Sequence, residues 1–113
     1  MIVVTAAIIQ KDGKILDTRR SPWKHLGGYW EFQGGNVEGQ EIWEECLVME
    51  ILEELVIQIS ALKFFMENIH HYETKSIRLL GYWATIERGE IQLTDHDDFR
   101  WMTLTALHTL EWA

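Results

Sequence analysis

Apolar residues run almost unbroken from Ile2 to Ile9, and many of them are β-branched. This predicts a strand over Ile2–Gln10 buried on both faces. Lys11-Asp12-Gly13-Lys14 carries the Asp-Gly pair of a tight hairpin turn. A second strand is expected from Ile15 to about Arg19, with Asp17 breaking its apolar pattern and facing solvent or a site. A loop around the only proline, Pro22, leads to a short strand over Tyr29–Phe32. Beyond the glycine pair Gly34-Gly35, the pattern changes to a helical period over Ile42–Leu55, with Leu47, Val48, Ile51, Leu52 and Leu55 as its apolar stripe. Strands are predicted over Leu62–Tyr72 and Ser76–Glu87, separated by a turn at Glu73-Thr74-Lys75. An acidic loop, Thr94–Asp98, precedes a strand over Phe99–Met102, and Thr103–Leu110 forms at most a short helical turn.

The helix carries the candidate chemistry. Positions three and four apart are neighbours on a helix surface, so Glu50, Glu53 and Glu54 project from one face. Like charges at such spacings repel by roughly 0.2–0.5 kcal/mol per pair. A hard divalent cation reverses that penalty, because Mg²⁺ takes oxygen ligands and bridges to phosphates. Taken alone, a glutamate-rich helix is as readily a solvated face, since glutamate is a good helix former. The preceding Gly34-Gly35 changes that weighting, because glycine permits close approach of backbone to a ligand.

Composition narrows the partners. A chain of 113 residues fits one domain. Its formal net charge of −8 argues against a nucleic-acid polymer as partner, since polymer binders carry a basic surplus. A small anionic ligand remains compatible if a metal and local Arg or Lys neutralise it. The one cysteine, Cys46, cannot form an internal disulfide and reads as a packing residue. The apolar N-terminal run is too short to span a membrane and lacks a basic lead, so the expectation is a cytoplasmic protein with no membrane partner. The adjacent His70 and His71 point to opposite faces of a strand and read as surface and packing residues.

Gly35, Glu41, Glu50, Ile51, Glu53, Glu54 and Ile57 stand in the register of a long motif: Gly, five residues, Glu, seven residues, Arg-Glu, an aliphatic, any residue, Glu-Glu, any residue, Gly, an aliphatic. The chain resembles the Nudix hydrolases of the MutT type, and Trp30-Glu31-Phe32 before the glycine pair strengthens the likeness. Three positions depart from the pattern. Met49 stands for the arginine, Val56 for the glycine after the double glutamate, and Gln33 for the proline before the glycine pair.

The resemblance implies an α/β (α+β) Nudix fold, a mixed sheet packed on the box helix, with the usual second helix short or missing. A homodimer covering the face so exposed is one expectation. The implied activity is Mg²⁺-dependent hydrolysis of a nucleoside triphosphate to the monophosphate and pyrophosphate, with Mn²⁺ as a possible substitute. The implied metal ligands are Gly35, Glu50, Glu53 and Glu54, with Glu41 orienting them. Met49 cannot pair with Glu41 as the family's arginine does. Asp95 is the best match to an extra carboxylate acting as general base, with His96 the runner-up. Arg20 and Phe32 are candidates for phosphate and base contacts, although a surface arginine and a core aromatic read equally well. Lys75 and Arg78 are further candidates near substrate. A catalytically weakened binding module on the same fold is the alternative, favoured by Met49, Val56 and the missing helix. A dinucleotide or sugar-nucleotide hydrolase is a third reading, because the motif addresses the diphosphate alone.

Overall fold

The computed structural model describes residues 1–37 and 42–111, so Glu41 lies outside the described residues. The elements follow one another as β1 (Ile2–Lys11), β2 (Lys14–Arg20), β3 (Trp30–Glu31), β4 (Gln33–Asn36), α1 (Trp43–Leu55), β5 (Gln58–His71), β6 (Ser76–Arg88), β7 (His96–Met102) and a 3₁₀ helix over Leu104–Thr109. The main path through the sheet is β3-β2-β1-β6-β5, with β4 on β1 and β7 on β2. β1 and β6 run parallel, and the other pairings are antiparallel. The mixed sheet with one long helix and a short second one is the expected architecture.

α1 covers one sheet face. Leu47, Ile51 and Leu55 are fully buried against Ala7, Ile9, Leu80, Tyr82 and Ala84. Burying each large aliphatic contributes about 1.5–3 kcal/mol before entropy is counted. The apolar stripe is narrower than the sequence predicts, because Leu52 is 44% exposed. It lies 100° round the helix from Ile51, beyond the sheet's reach. β1 is likewise less buried than expected. Thr5, Ala7 and Ile9 enter the core, whereas Val4, Ala6 and Ile8 are half-buried on the other face, where Val4 and Ala6 line a cleft.

Some boundaries shift for identifiable reasons. The Asp12-Gly13 turn forms with both residues at positive φ, 52° and 76°, as a type I′ hairpin requires. Gly34-Gly35 reads as a turn in sequence but forms strand β4, pairing with Ala6 and Thr5. A side chain at Gly34 would overlap the Thr5 carbonyl, so glycine lets the two strands close. β5 starts four residues earlier than predicted, because Ile57 and Ile59 alternate inward with Gln58. β7 absorbs most of the acidic loop, where Arg19 on β2 pairs with Asp97 at 2.7 Å.

Val56 and Asp17 are both held against their preference. Val56 caps α1 in the left-handed conformation (φ 59°, ψ 32°), with its N–H donating to the Leu52 carbonyl at 3.0 Å. Left-handed geometry costs an L-residue roughly 1–2 kcal/mol, and a β-branched side chain worsens the crowding. Asp17 does not face solvent. It is fully buried on the β2 face opposite Leu16, and neither carboxylate oxygen has a hydrogen-bond partner among the described residues. Burial pushes its pKa up to about 6.

Val56→Gly is expected to stabilise the fold by about 1 kcal/mol, since Val56 is 39% exposed and surrenders little burial. Thermal melting reads this, and an unchanged or lower Tm would contradict the strain. For Asp17, the folded state holds the proton more tightly than the unfolded chain does. Its contribution to stability is therefore complete below the ordinary value of 3.8 and is lost as pH rises through about 6. Asp17→Asn should stabilise the protein by about 2–3 kcal/mol at pH 7.5 and by little at pH 4, measured by denaturant unfolding. An equal effect at both pH values would contradict a buried, unpaired carboxylate.

Candidate active site

A cleft of about 490 Å³ opens beside β1, β4 and the C-terminal half of α1. Its apolar wall is Val4, Ala6, Phe32 and Leu79, and its floor is Gly34, Gly35 and Asn36. Its polar groups are Arg20, Lys24, Glu31, Glu54, Asp95 and His96, contributed by β2, the loop after it, β3, α1, and the loop and strand at β7.

Glu50 reaches the strand floor. Gly35 leaves room for its carboxylate, and a side chain at Gly35 would occupy the same space. Cys46, one turn earlier, is buried with its Sγ 3.8 Å from Glu50 Oε1. One turn later, Glu54 enters the cleft. Burial pushes the Glu54 carboxyl up to about 7. His96 opposes that shift, and the negative charges of Glu50, Glu31 and Asp95 add to it. Glu53 is exposed and lies outside the cleft lining. The three box carboxylates therefore divide: Glu54 lines the cleft, Glu50 lies against Gly35 of its floor and acts on Glu54, and Glu53 is exposed outside the lining.

Glu31 is a site residue that the sequence did not mark. Its Oε2 accepts from Arg20 Nη1 at 2.9 Å and its Oε1 lies 2.8 Å from His96 Nε2. Burial raises the Glu31 pKa, but these two hydrogen bonds outweigh it and hold the carboxyl below its usual range. Arg20 also donates from Nε to the His25 carbonyl at 2.7 Å, so its guanidinium is fixed on two edges. Lys24 forms an ion pair with Asp95, and this hydrogen bond holds the Asp95 carboxyl low. The pairing register is the signal that would have found these groups. It sets Thr18 opposite Glu31 and Arg20 opposite His96, and that register cannot be read along a single strand.

Arg20, Phe32, Gly35, Glu54, Asp95 and the runner-up His96 all line the cleft. Lys75 and Arg78 do not. Lys75 sits in the turn beyond β5, its ammonium 5.9 Å from the Tyr72 ring. Arg78 pairs with Glu67 at 2.6 Å and stacks 4.9 Å from Trp43. Strand alternation explains the correction. Leu79 lines the cleft, so its neighbour Arg78 faces the α1 side of the sheet, beside Val3. His70 and His71 are exposed, as the sequence suggests.

The donors fit a magnesium ion in the way that ion is usually held. Among the described residues, no three His, Cys, Asp or Glu side chains form a ready-made cage. Mg²⁺ is more often bound by one or two carboxylates together with substrate phosphates. Glu50 and Glu54, crowded by like charge, and the Gly35 carbonyl offer that kind of hard-oxygen set.

The mixed sheet, its one long helix and the short second one define a Nudix fold. A model of the NUDIX domain matches residues 4–113, and the chain belongs to the Nudix hydrolase family, in its MutT-type branch. It is similar to the CTP pyrophosphohydrolase of Escherichia coli strain K12, at 35% identity over 101 residues, 89% of this chain and 75% of that protein. An 8-oxo-dGTP diphosphatase of Proteus vulgaris is 27% identical over 89 residues, 79% of this chain and 80% of its own length. The solution structure of the E. coli ORF135 protein aligns with a TM-score of 0.85 at 31% identity, covering 100% of this chain and 81% of that one. No helix among the described residues is long and apolar enough to cross a membrane.

Gly35→Ala is expected to displace the Glu50 carboxylate from β4 while leaving the sheet paired. It should weaken Mn²⁺ binding, read by electron paramagnetic resonance, by about ten-fold or more, the scale of losing a group that orients metal ligands. Unchanged Mn²⁺ affinity would show that Glu50 needs no room at Gly35.

Proposed function

We propose that this protein hydrolyses a nucleoside triphosphate to the nucleoside monophosphate and pyrophosphate with the help of Mg²⁺. The observation that carries the reading is the convergence of Glu54, Glu31 and Asp95 at one cleft that also holds Arg20 and Lys24, with Glu50 against its Gly35 floor and close enough to act on Glu54. A cluster of carboxylates alone repels a polyphosphate. Carboxylates with a divalent cation between them, and two cations at the rim, attract one. The relatives named as a CTP pyrophosphohydrolase and an 8-oxo-dGTP diphosphatase support a triphosphate substrate.

In this reading Glu50, Glu54 and the Gly35 carbonyl would hold the metal, helped by Glu53, and Glu41 would orient them. When bound, the ion supplies charge neutralisation at the phosphate oxygens and acidifies a water molecule. The remaining work falls to the chain. Arg20, clamped by Glu31 and the His25 carbonyl, keeps its second terminal nitrogen for a phosphate oxygen. Phe32, Val4, Ala6 and Leu79 give the nucleobase an apolar wall. Asp95 takes the proton of the attacking water as the water oxygen bonds to phosphorus and the bridging P–O bond breaks. Pyrophosphate and nucleoside monophosphate leave, and the proton passes to solvent. Lys75 and Arg78 have no part in this scheme.

Met49 supports a second reading, a nucleotide-binding module with little catalysis. It is 55% exposed where the family's arginine would orient Glu41.

Pyrophosphate release measured with Mg²⁺ over a panel of nucleoside triphosphates separates the two. The expected result is metal-dependent turnover that falls at least 100-fold in Glu54→Gln and Glu53→Gln, the scale of removing a group that acts in the transition state. Thermal stabilisation by nucleotide, with equal background release in wild type and variants, would establish the binding module instead.

A further inference from the structure

The two cations of the cleft are held in different ways. Arg20 is fixed on two edges, by Glu31 and by the His25 carbonyl, and Glu31 is itself braced by His96. Lys24 has one hydrogen-bond or ion-pair partner for its side chain among the described residues, the Asp95 carboxylate. The pair is part-exposed, with side-chain accessibilities of 32% and 48%.

The backbone on both sides of that pair is anchored. The Lys24 N–H donates to the Ser21 carbonyl at 3.0 Å, and its own carbonyl accepts from the Gly27 N–H at 2.9 Å. The Ser21 hydroxyl donates to the Asp95 carbonyl at 2.7 Å, tying the two loops together without the ion pair. Gly27 packs so tightly on the Ser21 and Pro22 carbonyls that a side chain there would overlap them. The loop therefore does not depend on Lys24 for its shape. What can move is a four-carbon stem and its ammonium, reaching into the cleft from a fixed base. A lysine ammonium is a compact point charge free to exchange anions, unlike a guanidinium clamped on two edges.

We propose that Lys24 is a polyphosphate-binding residue that exchanges partners: Asp95 holds it in the free protein, and the substrate's phosphates take it, freeing the Asp95 carboxylate inside the cleft. The inference rests on the nucleotide-hydrolase reading and adds two things to it. Lys24 becomes a second phosphate contact beside Arg20. Asp95, proposed above as the proton acceptor, stays occupied until a polyphosphate arrives. The exchange lets a chain of net charge −8 keep a cation at its site without leaving it unpaired.

A double-mutant cycle on full-length protein tests this. Binding of the α,β-methylene analogues of CTP and dGTP, with Mg²⁺, is measured by calorimetry for wild type, Lys24→Met, Asp95→Asn and the double variant. Lys24→Met should weaken binding about three- to five-fold, and Asp95→Asn should tighten it, because the competitor for Lys24 is gone. The tightening should be about three-fold larger with Lys24 present than with Met at that position, the scale of one part-exposed ion pair. Simple relief of repulsion at Asp95 would give the same factor in both backgrounds, and that result overturns the exchange. Unchanged binding in Lys24→Met also overturns it. A wild type that binds neither analogue overturns the hydrolase reading and this one with it, whereas binding without coupling overturns this one alone. Urea unfolding should show Lys24→Met and Asp95→Asn losing the same small stability, no more than the part-exposed pair itself supplies, with no further loss in the double variant. A loss in Lys24→Met well beyond that in Asp95→Asn would instead make Lys24 a structural tether and contradict the proposal.

Discussion

The Glu50 carboxylate occupies the space that Gly35 leaves by having no side chain. That close contact between helix and strand sets the rest of the site. Leu47, Ile51 and Leu55 bury one edge of α1 in the core, and their burial supplies the energy that seats the helix on β1 and β4. Once seated there, two of the three box carboxylates turn to the protein and Glu53 stays in solvent. Glu50 meets the strand, and Glu54, one turn on, is pushed among other carboxylates. Packing thus enforces a concentration of like charge that an isolated helix would relieve by fraying or by exposing its side chains to water.

The basic side of the site is organised by strand pairing. β2 carries Arg19 and Arg20, and β3 and β7 bring acidic partners to each through cross-strand register. Arg19 takes Asp97 outside the cleft, and Arg20 takes Glu31 within it. Glu31 is held ionised by Arg20 and His96 against the pull of burial, so it anchors the guanidinium without drawing a proton from it. Lys24, on a tightly wound loop with a single carboxylate partner among the described residues, is the less constrained member of the set. A rigid cation and an exchangeable one suit a ligand that must be both recognised and released.

The sequence made legible whatever depends on local period. The continuous apolar run of β1, the Asp-Gly turn and the helical spacing of Leu47, Ile51 and Leu55 all appear in place. So does the four-residue spacing that turns Glu50 and Glu54 the same way. What escaped depends on which strand lies beside which. Gly34-Gly35 reads locally as a turn and forms a strand because β1 is there to pair with it. Glu31 reads as part of a short aromatic strand and becomes a site residue only when β2 and β7 close on either side of it. Arg78 reads as a candidate near substrate whose facing the sequence leaves open; the register with β1 turns its neighbour Leu79 to the cleft instead. Asp17 is the reverse case, a charge whose burial no local pattern announces.

Central to the proposed function is that Glu50 and Glu54 hold a divalent ion together with nucleotide phosphate. A titration of Mn²⁺ followed by electron paramagnetic resonance, with and without a non-hydrolysable nucleoside triphosphate, tests it apart from turnover. The account requires Mn²⁺ binding that nucleotide strengthens, that Mg²⁺ displaces, and that disappears in the Glu50→Gln, Glu54→Gln double variant. Equal Mn²⁺ binding in wild type and double variant, in folded protein, would contradict it.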